Sequence, residues 1–213
     1  MSHELRSQSL DYLAERYKPV ERVIGIEKPF VLFLGVSGVG KSTIMRQMID
    51  SRPDLYTYIS PYTTRPLREG ESDKTHVSAE QYQKMLDNHE FAYDNPLYNV
   101  RYGTPKKAIT NAFENGQIPL LDFPLDDVPK LDLPDDVTPL GIYCFPPDIN
   151  EWYARMAKDG RQNLARLKRG YRELEKLVRS DERLPNIDLG LVTRNEKIAD
   201  LAEQAHEFIL SLR

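Results

Sequence analysis

Five apolar residues, Phe30-Val-Leu-Phe-Leu34, run without polar alternation into Gly35-Val-Ser-Gly-Val-Gly-Lys-Ser42, and this junction constrains the fold more than any other stretch. A strand that is apolar at every position is buried on both faces, the situation of a central strand in a parallel sheet. The segment after it fits G-x-x-x-x-G-K-[ST], a pattern whose four fixed positions arise by chance in about 1% of chains this long. Its glycines let backbone N–H groups converge on an anion without side chains in the way. Lys41 to Asp50 carries Ile44, Met45, Met48 and Ile49 on one side and predicts a helix, whose positive N-terminal end adds to the cradle. Gly35, Ser37, Gly38, Val39, Gly40, Lys41, Ser42 and Thr43 are therefore the predicted phosphate-binding residues. Lys41 is placed to reach β- and γ-phosphates, and the Ser42 hydroxyl to ligate Mg²⁺.

The motif alone implies a bound nucleoside triphosphate, and composition narrows the setting. The chain has 213 residues, enough to bury a real core. Lys and Arg total 29 against 33 Asp and Glu, a net charge of -4 that gives no electrostatic reason for nucleic-acid binding. No apolar run approaches the ~20 residues of a membrane span. The opening residues carry scattered charges in place of an unbroken apolar signal core, so a cytoplasmic monomer or homodimer without membrane or nucleic-acid partners is expected. Cys144 lies in the apolar run Gly141-Ile-Tyr-Cys-Phe145 and reads as a buried structural thiol. His3, His76, His89 and His206 are too scattered for a metal cluster and read as surface or cap residues.

Strands and helices alternate along the chain. Leu5 to Tyr17 predicts a short amphipathic helix closed by Pro19. Seven of the 12 tyrosines fall between Tyr56 and Thr104, around a helix predicted over Ser78 to Asn88; this texture marks a subdomain inserted into the sheet. Ile118 to Phe123, Thr138 to Phe145 and Leu189 to Val192 predict further strands, with Pro119 and Pro139 confining the starts of two of them. Prolines at 119, 124, 129, 134 and 139 argue against a long helix there and for irregular turns. Helices are predicted over Asp148 to Lys158, Gln162 to Arg179 and Asn195 to Leu212, with Asn195 as a cap. The pattern implies a three-layer α/β fold with a mainly parallel sheet and helices on both faces.

A second anion site is suggested by Thr63-Thr-Arg-Pro-Leu-Arg68, which puts two guanidinium groups on a turn-rich segment suited to bidentate phosphate binding. Here the sequence resembles the guanylate kinase family over about 180 residues. Ser60-Pro-Tyr-Thr-Thr-Arg-Pro-Leu-Arg-Glu-Gly-Glu71 is similar to the family's S-x-T-T-R-x-P-R-x-G-E. In the same order, Val77-Ser78, Glu90-Phe91, Arg101-Tyr-Gly-Thr104, Leu120-Leu-Asp122 and Pro146-Pro147 resemble its F-V-S, E-F, Y-Y-G-[ST], L-D-I-D and P-P segments. Arg155, Arg166-Leu167 and Glu173-Leu174 are similar to its lid and post-lid helix.

The resemblance implies transfer of the γ-phosphoryl of ATP to a nucleoside monophosphate, GMP or dGMP first, with Mg²⁺. It implies a core over 29–57 and 105–213, a lid at about 155–166, an acceptor-binding subdomain over 58–104 and an N-terminal helical extension over 1–28. Arg65 and Arg68 would hold the acceptor phosphate beside Tyr102, Thr104 would lie against the base, and Asp122 would meet the Mg²⁺ hydration shell. Arg155 and Arg166 would close over the γ-phosphate. Arg155 and Arg166 also belong to a basic stretch with Arg161, Lys168, Arg169 and Arg172 that reads equally as an exposed helix face.

The base-reading half departs from the family. Its two guanine-binding carboxylates correspond to Tyr93 and Pro124 here, leaving Asp94 as a candidate substitute. Ser72-Asp-Lys-Thr-His76 is shorter than the family's segment, so its phosphate-binding tyrosine has no clear counterpart. Thr193 and Arg194 stand where the family binds adenine, with different residue types. Two other readings stay open: a kinase of this architecture acting on another phosphorylated small molecule, and a protein-binding module that has lost catalysis.

Overall fold

The computed structural model describes residues 9–19, 25–97, 99–158, 164–194 and 197–213. Among them the chain runs α1 (Asp11–Arg16), β1 (Lys28–Leu34), α2 (Lys41–Ser51), β2 (Tyr56–Tyr58), β3 (Tyr62–Thr63), β4 (Thr75–His76) and α3 (Ala79–Asp87). It continues through β5 (Phe91–Leu97), β6 (Val100–Pro105), α4 (Lys106–Glu114), β7 (Ile118–Asp122), β8 (Val137–Phe145), α5 (Ile149–Lys158), α6 (Leu164–Arg179), β9 (Leu189–Val192) and α7 (Ile198–Ser211).

Five strands in the order β2-β7-β1-β8-β9 pair in parallel throughout. β1 is central, and Phe30 to Leu34 are wholly buried, as a strand covered by helices on both faces must be. Val31 to Phe33 pair with Leu120 to Asp122, and Lys28 to Leu34 with Val137 to Tyr143. This register brings Gly35 and Asp122 to the same carboxyl edge of the sheet, where open α/β sheets hold their ligands. Pro119 is the second residue of β7 and Pro139 the third of β8, both near the strand starts. The proline-rich connection is a short 3₁₀ turn over Leu125–Lys130. Cys144 is fully buried, and burial pushes its thiol up to about 12, which leaves it inert.

Residues 62–105 build a second sheet, β4-β3-β6-β5, in which β6 runs antiparallel to both β3 and β5. α3 packs beside it. Ser78 and Gln81 form a reciprocal capping box, both bonds 3.0 Å, and the Tyr82 ring stacks on Phe91 with centroids 4.6 Å apart.

Leu5, where the sequence starts the N-terminal helix, lies outside the described residues; among those described, the helix covers Asp11–Arg16. Six residues do not hold a helix by propensity; burial holds this one, since Leu10, Leu13 and Tyr17 are all 0% exposed. Its end meets the edge strand β9: Gly190 N–H donates to the Tyr17 carbonyl at 3.0 Å, satisfying an edge amide that would otherwise face solvent. At the other terminus, Asn195 lies outside the described residues, and α7 starts after Lys197 without a side-chain cap. His206 is half-buried on α7, where its Nδ1 shares a 2.7 Å hydrogen bond with the Tyr56 hydroxyl.

Candidate active site

The donor half is built by the loop between β1 and α2. Gly35, Gly38 and Gly40 adopt φ of 123, 78 and 112°, which only glycine takes without strain. A Cβ on Gly35 would lie 2.5 Å from the Cys144 carbonyl, and one on Gly38 2.6 Å from Met156 Sδ. The amides of Gly38, Gly40, Lys41 and Ser42 have no carbonyl partner among the described residues, so the loop presents free donors at a helix N-terminus. Lys41 is buried and donates to the Gly35 and Val36 carbonyls at 2.5 and 3.0 Å. Trp152 of α5 braces the loop by donating to the Ser37 carbonyl at 2.8 Å. Ser37 to Thr43, Asp122, Arg155 and Lys158 line a cleft of about 330 Å³. Free amides, an ammonium and an exposed hydroxyl at Ser42 are a donor set that suits a triphosphate with Mg²⁺.

The acceptor half is a second cleft of about 330 Å³, and it shares Ser37, Lys41 and Asp122 with the first. One wall is the β5–β6 ladder, where Tyr93 pairs with Thr104 and Asn95 with Tyr102. Residues paired across a ladder share a face, and all four line the cleft. Thr104 is 4% exposed. The Tyr93 ring sits edge-on against Phe123 at 4.7 Å. Burial, then a hydrogen bond with Asp127, raises its hydroxyl well above the ordinary tyrosine range. Asp127 is pushed up by burial but held lower on balance by Lys130 and Tyr93. The opposite wall is one face of α6, formed by Arg166, Arg169, Gly170 and Glu173. Glu173 accepts from the Tyr143 hydroxyl at 2.7 Å, and burial raises its carboxyl.

Asp94 does not belong to this wall. It pairs with Gly103 on the other face of the ladder. There it accepts from the Tyr82 hydroxyl at 2.7 Å and from Arg101 Nε at 3.1 Å. Strand alternation alone excludes it from the cleft.

The arginines predicted to bind phosphate are distributed differently from one another. Arg65 is held by Glu71 through two hydrogen bonds of 2.7 and 2.5 Å, and its Nε donates to the Tyr102 hydroxyl at 3.0 Å. The bond from Arg65 pulls the Glu71 carboxyl down to about 2. Arg65 and Arg68 are not among the residues lining the acceptor cleft, and the Arg68 side chain is exposed. Lys74 does line it, 3.4 Å from Glu71. Arg155 and Arg166 occupy opposite halves, with 159–163 between them outside the described residues. Arg155 ties the loop to the segment after β9, donating to the Val39 carbonyl at 3.1 Å and to Thr193 Oγ1 and O at 3.0 and 2.7 Å. Thr193 is buried, and Arg194 is paired with both Asp11 carboxylate oxygens at 2.9 Å.

Residues 27–211 match the family model described as guanylate kinase. The chain belongs to the guanylate kinase family. A guanylate kinase of Syntrophotalea carbinolica is 34% identical over 176 residues, covering 78% of this chain and 82% of the relative. One of Nostoc sp. is 29% identical over 167 residues, covering 74% and 82%. The crystal structure of guanylate kinase from Anaplasma phagocytophilum superposes with a TM-score of 0.59 at 19% identity over 89% of each chain, a likeness of fold.

As a guanylate kinase family member, the chain keeps its phosphate loop within the matched residues. Sequence reasoning named Tyr93, Tyr102, Thr104, Asp122 and Arg166, all of which line the acceptor cleft. It passed over Asn95, Lys74, Asp73, Arg169 and Tyr58, which line it too. The two-residue period of β5 and β6 was the available signal for Asn95: 93, 95, 102 and 104 fall on one face.

Proposed function

We propose that the protein is an ATP-dependent nucleoside-monophosphate kinase that moves the γ-phosphoryl group of ATP to GMP or dGMP in the cytoplasm. The observation that carries this reading is the continuity of the two half-clefts through Ser37, Lys41 and Asp122. A donor phosphate on the loop and an acceptor phosphate opposite it would meet at those residues.

The acceptor's nucleophile is a phosphate oxygen already anionic near neutral pH, so no general base is needed and catalysis reduces to alignment and charge neutralisation. The free amides of the loop grip the β- and γ-phosphates, and Lys41 neutralises charge where it gathers during transfer. Mg²⁺, held beside Ser42 and Asp122 when bound, offsets further charge on the triphosphate. Lys74, Arg166 and Arg169 face the acceptor cleft and supply positive charge around the monophosphate. Arg65, locked to Glu71 and Tyr102, positions Tyr102. Arg155 holds the loop in shape from the donor side. We assign 58–104 to acceptor binding and 29–57 with 105–213 to the core. The relatives quoted above are named guanylate kinases, which favours the enzyme over a binding module or a kinase for another acceptor.

The test is a coupled assay of ADP release with MgATP and each nucleoside monophosphate. Turnover with GMP or dGMP is expected, and no ADP with any monophosphate would refute the reading.

A further inference from the structure

We infer that Asn95 reads the acceptor base by pairing with the N1/C6 edge of a purine. The inference rests on the kinase reading above and deepens it.

Asn95 stands on the cleft face of β5, directly across the ladder from Tyr102, with Thr104 and Tyr93 as the next cross-strand pair on that face. The other polar side chains of this wall are hydroxyls, those of Tyr93, Tyr102 and Thr104. The Tyr102 hydroxyl accepts from Arg65 and keeps its own O–H to donate. The two nearby acids are also engaged, Asp127 by Lys130 at 2.6 Å and Asp94 on the reverse face by Tyr82 and Arg101. Neither of them lines the cleft. Among the described residues, no partner within the chain engages the half-buried Asn95 carboxamide, the one amide side chain lining this cleft.

A carboxamide carries one acceptor beside one donor group, which matches the C6 oxygen and N1–H of guanine or hypoxanthine as a bidentate pair. A carboxylate would instead accept from N1–H and the 2-amino group together, so the carboxamide is the group suited to the edge that guanine and hypoxanthine share. A carboxamide can also be turned over to set its oxygen against the 6-amino group of adenine, so Asn95 rejects AMP less firmly than an aspartate would.

Steady-state kinetics on the full chain with MgATP decide the matter. GMP and IMP, which share that edge, serve as the probes. Asn95→Ala should lower kcat/KM for both by roughly tenfold to a hundredfold with the KM for ATP unchanged. Asn95→Asp, nearly isosteric, should raise the GMP-to-AMP ratio by about tenfold or more, since its carboxylate cannot donate to adenine N1. Melting curves of both variants establish that they fold. An unchanged kcat/KM for GMP in folded Asn95→Ala overturns the inference alone. So does an unchanged GMP-to-AMP ratio in folded Asn95→Asp. Absence of ADP with every monophosphate overturns the kinase reading, and this inference with it.

Discussion

Asp122 Oδ1 stands 3.5 Å from Lys41 Nζ, and this pair sits where the donor and acceptor halves of the cleft join. Lys41 is buried and carried by loop carbonyls, whereas Asp122 is exposed at the end of β7. The buried cation is thus fixed by the fold, and the carboxylate is left open to solvent and ligands. Parallel pairing of β1 with β7 sets the separation, because Phe33 is in register with Asp122.

Lys41→Ala should reduce phosphoryl transfer by at least about 10²–10³-fold, the cost of removing one preorganised charge from the transition state. The fold should survive: two hydrogen bonds to loop carbonyls are lost, costing about 2 kcal/mol together. Single-turnover kinetics beside a thermal melt check both parts, and near-normal turnover would remove Lys41 from the chemistry.

Lys74 and Arg68 are separated by what their side chains face. Lys74 lines the acceptor cleft and Arg68 does not, so Lys74→Ala should raise the acceptor KM by about tenfold. Arg68→Ala should change it by less. Equal losses in the two variants would mean that Arg68 turns inward when the acceptor binds.

Acid should weaken the subdomain through Glu71. Its carboxyl is lowered from 4.5 to about 2 in the folded chain, chiefly by the hydrogen bond from Arg65. A depressed folded value stabilises fully above the unfolded one, so this contribution is present above about pH 4.5 and disappears as pH falls toward 2. Glu71→Gln should cost about 2 kcal/mol near neutrality and flatten that segment of the stability curve. Urea unfolding at stepped pH measures it; a variant curve parallel to the original would assign the acid loss to other groups.

Ahead of residue 27, outside the family match, the described residues still contribute Leu10, Leu13 and Tyr17 to the core. Leu13 is fully buried with Leu10 and Tyr17. Leu13→Ala should therefore destabilise the whole chain by about 2–4 kcal/mol, as a buried leucine does elsewhere. Denaturation followed by Trp152 fluorescence reports on it, and a loss under about 0.5 kcal/mol would mark α1 as a detachable appendage.

The central strand, the glycine loop and the alternation of strands with helices were legible because each rests on local signals: an unbroken apolar run, a fixed glycine spacing, short apolar runs set between helical spacings. Asp122 and Thr104 were legible through the family pattern. What escaped depends on three-dimensional partnership. Arg65 reads as a phosphate ligand in one dimension, but Glu71, six residues on, claims its guanidinium. Arg155 and Arg166 belong to one basic stretch in sequence, yet they fall in different halves of the cleft. Asp94 fails for a simpler reason: choosing a carboxylate by chemistry while neglecting the two-residue period of a strand picks the wrong face.

That period makes selectivity in β5 a matter of odd and even. Odd positions 93 and 95 look into the acceptor cleft; position 94, between them, is spent on mooring Tyr82 and Arg101. Substrate preference can therefore be rewritten at the odd sites without touching the anchor, while a single inserted residue would exchange the two sets and forfeit both at once.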